Sequence, residues 1–162
     1  MRWQWSLPSQ RREPRELITP TKPRTRRDGG SLSLLNYLSI MLGGALGTGA
    51  RFWLSGLVAS RYGEVFPLGT LVVNVTGCFL AGAFATVSDP SGRFLVSPQV
   101  RQFFLIGVLG GYTTFSSFGL QTMDLAQSGD WLKAALNAGA SLMLCLFAVW
   151  LGRVAAMALL PR

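Results

Sequence analysis

The residues that could do chemistry in this chain are concentrated in one apolar stretch, Gly107–Leu120. The pair Gly110-Gly111 is followed there by hydroxyl side chains and two phenylalanines, namely Thr113, Thr114, Ser116, Ser117, Phe115 and Phe118. In lipid, a backbone group released from a helix is costly unless it finds a new partner, so an interruption here needs a purpose. Transporters use interrupted helices as binding sites. We therefore predict a helix broken at Gly110-Gly111 that forms a binding site or a water-lined path.

Neutral hydrogen-bond donors in an apolar setting favour an anion as the ligand. Hydroxyl and amide groups donate to anions, and the edge of a phenylalanine ring is the positive part of its quadrupole. Such weak donors do not trap the ion as a full positive charge would, and conduction requires binding that also releases. Two further polar pairs are spaced four residues apart and so share a helix face: Thr70 with Asn74, and Asn137 with Ser141. For Asn74, helix packing and lining of a wet path both remain open.

The break also frees backbone oxygens, which suit a different ion. Carbonyls at Gly110 and Thr113 are the kind of oxygen ligand that a hard cation prefers. One chain supplies too few of them to surround a cation. Two chains meeting at their breaks would supply enough.

The elements that must position these groups are membrane spans. The chain has 162 residues, the length of one domain, with 49% hydrophobic and 14% charged residues. Its mean hydropathy is +0.36. A bilayer crossing takes roughly 20 apolar residues in a helix. The sequence therefore predicts a small all-α integral membrane protein with four spans, Leu34–Val58, Leu68–Val87, Arg101–Leu125 and Trp131–Leu159.

The basic charge belongs mostly to the N-terminus. The formal net charge is +8, and residues 1–30 are rich in arginine, proline and serine. We expect residues 1–30 to be a disordered tail that either contacts anionic membrane lipid and stays in the cytoplasm or is dispensable. No folded module for reading nucleic acid accompanies it. Residues 31–162 form the membrane domain, in which Arg51 either reaches the interface or attracts anions at a vestibule.

Several function classes are disfavoured by what the predicted membrane interior lacks. It offers no Asp, Glu, His or Lys for acid–base or nucleophilic catalysis, so we expect no enzyme. Cys78 and Cys145 lie within apolar spans and suggest neither a disulfide framework nor a zinc site. A small multidrug-type proton-coupled exporter would need a carboxylate in the first span, which has none. A membrane interaction protein without transport activity stays open as an alternative, although it leaves the glycine break beside the phenylalanines unexplained.

Three segments of the chain resemble a known family. They are GGALGTGAR (43–51), GTLVVNVTG (69–77) and GGYTTFSSF (110–118), and they look like the signature segments of the CrcB/Fluc fluoride channels. The resemblance implies antiparallel, dual-topology homodimers of four-helix subunits with two narrow pores at the dimer interface. It also implies passive export of cytoplasmic fluoride through the cell membrane.

The resemblance further implies roles for individual residues. Gly110 and Thr113 would give backbone carbonyls to one structural sodium ion (Na⁺) at the dimer centre, and Arg51 would lie near a vestibule. The ion path would be formed by Phe115, Phe118, Asn74, Thr70, Thr114, Ser117 and Ser141. Asn137 stands where many family members carry tyrosine, which leaves its role open. The basic tail favours one membrane orientation, so a heterodimer with an oppositely oriented paralogue is the alternative to a homodimer.

Overall fold

In the part of the chain that the structure describes, every regular element is helical. This computed structural model describes residues 34–63, 65–89 and 94–159, so the predicted tail at residues 1–30 lies outside the described residues. The elements, in chain order, are α1 (Leu34–Tyr62), α2 (Leu68–Val87), α3 (Pro98–Gln102), a π-helix (Phe103–Val108), α4 (Leu109–Tyr112), α5 (Phe115–Gln127) and α6 (Trp131–Leu159).

Three of the predicted spans are confirmed as helices long and apolar enough to cross a bilayer. They are Leu68–Val87, Pro98–Gln127 and Trp131–Leu159, each of which contains an 18-residue stretch with a mean hydropathy of 1.8, 1.4 and 2.1, respectively. The bounds of the second and fourth spans agree with the sequence prediction, and the third is extended at both ends. The chain is thus an all-α, multi-pass integral membrane protein.

Helix α1 is the least apolar of the long helices. It contains 29 residues, which is ample length for a bilayer. Its glycines, hydroxyls and Arg51 lower its mean hydropathy, and it is not among the helices apolar enough to be assigned as spans. Small residues of this kind allow close helix packing, and α1 packs against the π-helix, α4 and α2.

Large apolar side chains point outward, and small residues fill the interior. Side chains such as Leu46 and Met143 are exposed, whereas Ala126, Ala134 and Ala148 are buried. In water such an apolar surface would promote association, but in lipid it is the solvent-facing side. The interior is therefore held by close backbone packing, most extensively between α2 and α6.

The third span is interrupted, but the predicted position of the break was wrong. Gly110 and Gly111 lie within α4, and the chain leaves helical geometry at Thr113 (φ −78°, ψ 158°) and Thr114 (φ −151°, ψ 111°). Gly111 instead serves packing, because a Cβ on it would lie 2.9 Å from the Cα atom of Gly44. The break follows the glycines because Thr114 begins the next helix as its N-cap.

A π-helix precedes the break by a few residues. The amide of Leu109 donates to the carbonyl of Phe104, five residues back, instead of the usual four. This segment packs on α1, where a Cβ on Gly43 would lie 3.1 Å from the Cα atom of Gly107. Phe104 also stacks on Phe84 of α2, with ring centroids 4.9 Å apart. The wider turn thus lies between α1 and α2, directly upstream of the break.

Candidate functional site

Thr114 organises the break through its hydroxyl group. Its Oγ1 accepts from the backbone amide of Ser117 (3.2 Å), and it bonds to the Oγ atoms of Ser117 (3.0 Å) and Ser116 (3.3 Å). This is N-capping, in which a side-chain oxygen satisfies an orphan amide of the first helical turn. Thr114 is itself buried. Two of the predicted path residues, Thr114 and Ser117, are therefore held together in one hydroxyl cluster.

Asn74 joins α2 to the break through both ends of its carboxamide. Its Oδ1 accepts from the Thr114 amide at 2.8 Å, and its Nδ2 donates to the Thr114 carbonyl at 3.0 Å. Both polar backbone groups of Thr114 are satisfied in this way, inside a segment where water is scarce. Asn74 thus takes the packing role that the sequence left open, and one N–H of Nδ2 remains beyond this pair of bonds.

The same bonds release the two carbonyls that the sequence suggested as cation ligands. In an unbroken helix the Thr114 amide would donate to Gly110 O, but here it donates to Asn74. The Ser117 amide would likewise donate to Thr113 O, but it donates to Thr114 Oγ1. Gly110 and Thr113 therefore present carbonyl oxygens without their ordinary helical donors. The residues present fit a hard cation, because such ions take oxygen ligands.

A groove of about 1020 Å³ runs between α1, α2 and α5 beside the break. It brings together four of the predicted residues, Arg51, Thr70, Thr114 and Ser117. Among the residues that the structure describes, Arg51 forms no ion pair. The ion pair found among them joins Lys133 to Asp130, outside the groove. The groove therefore combines hydroxyl groups with one guanidinium.

Sequence reasoning missed two groove residues on α5. Gln121 and Asp124 line the groove, and Gln121 Oε1 is a buried atom that bonds to no described residue. Thr114, Ser117, Gln121 and Asp124 follow one another at intervals of three, four and three residues. That spacing places them on one face of a helix and was the signal that could have found them.

The two phenylalanines contact each other, as their spacing predicts, but do not line the groove. The ring centroids of Phe115 and Phe118 are 5.2 Å apart, with 49° between the ring planes. Phe115 is 83% exposed in the single chain. Phe115 is the first residue of α5, next to the polar break. Its ring can therefore present either its edge or its face to a neighbouring group.

The polar pair on α6 also lies away from the groove. Asn137 is 2% exposed, and its Nδ2 donates to Thr122 Oγ1 at 2.7 Å. Thr122 in turn donates to the carbonyl of Phe118 at 2.7 Å. Asn137 therefore braces α5 from α6, while Ser141 is buried one turn further along α6.

Comparison with known proteins assigns the chain to a family. The model of the family described as CrcB-like protein, Camphor Resistance (CrcB), matches residues 38–153. A protein of Opitutus terrae named fluoride-specific ion channel FluC is 61% identical over 123 residues, which cover 76% of this chain and 93% of that protein.

Two further relatives carry the same name. The protein of Rhodospirillum rubrum is 54% identical over 122 residues, covering 75% of this chain and 95% of its own length. The protein of Methylocella silvestris is 49% identical over 125 residues, covering 77% and 95%. Because the family model spans most of the membrane domain and the identities are high across nearly whole relatives, this chain belongs to the CrcB-like family.

Proposed function

We propose that this chain is a subunit of a fluoride-selective channel of the cell membrane, which lets cytoplasmic fluoride leave passively down its electrochemical gradient. The observation that carries the proposal is its high identity to proteins named fluoride-specific ion channel. Hydrogen fluoride enters cells as a neutral weak acid and dissociates inside, so the trapped anion needs only a selective pore. A channel of this kind needs no catalytic residues.

The geometry of the break supports an anion path. A bare anion in low dielectric costs on the order of tens of kcal/mol, so the path must replace its lost hydration. Thr70, Thr114 and Ser117 offer hydroxyl donors beside the groove, and Asn74 keeps an N–H beyond its bonds to Thr114. None of these donors carries a full charge, which favours release as well as binding. Phe115, Phe118 and Ser141 complete the proposed path.

Fluoride release from proteoliposomes tests the function directly. Vesicles loaded with fluoride and reconstituted in sodium should release it rapidly to a fluoride electrode, while chloride-loaded vesicles of the same preparation should hold their anion. Protein-free vesicles give the background leak. Correctly inserted protein that releases no fluoride, or releases chloride as fast, would defeat the proposal.

We further propose that α1 forms a fourth span and that two chains assemble in antiparallel orientation. α1 has the length of α6, and its small residues pack closely on the broken segment. In this assembly a second copy would cover the exposed Phe115 ring, which lies beside the polar break. A homodimer is the simplest assembly. A heterodimer with a paralogue follows if the basic tail fixes one orientation.

Mapping epitope tags at both termini in intact cells distinguishes the two assemblies, since finding one orientation alone contradicts the homodimer.

The phenylalanine pair gives a mutational test of the path. Phe115→Ile and Phe118→Ile should each slow fluoride efflux by about fivefold, because they remove a ring-edge interaction worth about 1 kcal/mol from a narrow path. Dimer content by size exclusion should stay unchanged. Phe147→Ile is the control, since Phe147 is exposed on α6 and stacks on Trp150 instead. Native rates in both pore variants would remove the rings from the path.

A structural sodium ion at the dimer centre is also part of the proposal. Gly110 and Thr113 of both chains would hold it through the carbonyls that lack their ordinary helical donors. The ion would supply a fixed positive charge that ties the two breaks together. Because the ligands are backbone atoms, side-chain replacement at Thr113 is a poor test, and the ion itself must be varied.

Exchange of sodium for N-methylglucamine should therefore lower the melting temperature of the purified dimer and abolish fluoride efflux. Restoring sodium should recover both, whereas choline should recover neither. The two readouts are measured on the same preparation. Equal stability and equal flux in the two cations would overturn the sodium proposal without touching the fluoride proposal.

A further inference from the structure

The chain contains two cysteines, and the structure brings them together away from the groove. Cys78 is on α2 and Cys145 is on α6, and both are free and half-buried. Each lies one turn before a residue of a close contact between the two helices, Cys78 before Gly82 and Cys145 before Val149. Neither lines the groove beside the break. The proposed ion path therefore leaves this pair unexplained.

The two cysteines lie beside a close contact between α2 and α6. One turn after Cys78, a Cβ on Gly82 would lie 3.0 Å from the carbonyl carbon of Val149, which itself comes one turn after Cys145. On the same seam, a Cβ on Gly152 would lie 2.9 Å from the amide of Ala83. Such close contact between the two backbones fixes the distance between α2 and α6. The two cysteines, each one turn before this contact on the same face of its helix, are thus neighbours before any ligand arrives.

We propose that Cys78 and Cys145 together form a two-thiolate site for one soft divalent metal ion of the mercuric type. Each thiol gives up its proton to the buffer, one metal–sulfur bond forms at each sulfur, and the oxidation state of the metal does not change. Thiolates are the ligands that soft metals prefer. Two thiolates and a divalent cation are neutral together, so the complex places no net charge in an apolar seam.

The number of ligands narrows the choice of metal. Within the described residues, no group of three or more His, Cys, Asp or Glu side chains is placed to hold a metal. Zinc is almost always held by four protein ligands in structural sites and by three in catalytic sites. A site of two thiols therefore suits a metal that is satisfied by two sulfur ligands and does not suit zinc.

Both cysteines are only half-buried, so a small molecule can contact them. A groove of about 550 Å³ lies on the same two helices, and its lining is made of residues such as Val75, Phe79, Leu144 and Ala148. Mercuric chloride is a neutral molecule that partitions into apolar surroundings. The metal can therefore approach α2 and α6 without entering the polar groove.

The test uses the native chain in detergent with mercuric chloride as the only added metal. We expect one metal per chain, a mass increase of one mercury less two protons, and loss of both titratable thiols after unfolding. We also expect a higher melting temperature, because a ligand that binds only the folded state stabilises it. Two metals per chain, or one thiol left free, would overturn the proposal.

Single replacements then separate bridging from ordinary thiol reactivity. Under challenge with an excess of free cysteine, native protein should lose mercury more slowly than Cys78→Ser or Cys145→Ser by about a hundredfold or more, the advantage of two linked ligands. Zinc should be retained by none of the three. Equal loss from all three would refute the bridge, and the stoichiometry of the native chain decides even if a variant fails to fold. None of these readouts depends on fluoride transport.

Discussion

Gly47→Ala is expected to weaken the docking of α1 and to lower the stability and yield of the folded protein sharply. A Cβ at this buried position would overlap the carbonyl of Val108 and lie 2.8 Å from the amide nitrogen of Tyr112. Both are backbone atoms, in the π-helix and in α4, so relief requires moving a whole segment. Overpacking of a rigid contact costs about 3 kcal/mol or more, a large part of the stability of a small domain.

The same helix supplies the matched control for this prediction. A Cβ on Gly49 would meet nothing within 4 Å. Gly49→Ala adds the same methyl group in the same helix, where alanine is favoured over glycine by about 1 kcal/mol. The measurement is the yield of monodisperse protein and its melting temperature in detergent. If Gly47→Ala and Gly49→Ala behave alike, the close approach of α1 to the broken segment is refuted.

The long helices could be predicted from composition alone. The predicted bounds of α2 and α6, Leu68–Val87 and Trp131–Leu159, agree with the structure because both runs are predominantly apolar and are bounded by turn-forming residues. The position of the break could not be predicted as well. Glycine looks like the helix breaker, yet here Gly111 provides close packing, and capping by Thr114 decides where the next helix begins.

In the candidate site, likewise, contacts within one helix could be predicted, whereas contacts between helices could not. Local spacing predicts that Thr70 and Asn74 share a face and that Phe115 contacts Phe118, and it could have extended the α5 stripe to Gln121. It does not reveal that Asn74 bonds to Thr114, forty residues away, since that pairing depends on how α2 is placed against the break. The π-helix could not be predicted from the sequence either, because it differs from an α-helix only in its backbone hydrogen bonds and not in its composition.

Asn74→Leu is expected to eliminate fluoride efflux and to destabilise the protein by about 1 to 3 kcal/mol for each backbone group of Thr114 that stays unpaired in an apolar setting. Leucine has similar size, so the change removes the carboxamide without leaving a large cavity. Thr86→Val is the control on the same helix, because Thr86 bonds only to its own turn, at Gly82. Efflux and melting temperature are measured together. Native efflux in Asn74→Leu would contradict the role assigned to this residue.

Asn74→Asp separates the two halves of the carboxamide. The carboxylate can still accept from the Thr114 amide, but its second oxygen would face the Thr114 carbonyl, where Nδ2 now donates. We expect this variant to retain more of the break than Asn74→Leu while still failing to conduct, because a negative charge beside the path repels an anion. Asn74→Asp with native fluoride efflux would show that neither the donor nor the charge matters at this position.

The leucine variant also connects Asn74 to the proposed sodium ion. Once Asn74 no longer holds the Thr114 amide, that amide is free to return to the carbonyl of Gly110, its partner in an unbroken helix. The carbonyl would then be lost as a cation ligand. We therefore expect the melting temperature of Asn74→Leu to depend much less on sodium than that of the native protein. A native sodium dependence in this variant would mean that the carbonyls are kept free by something other than Asn74.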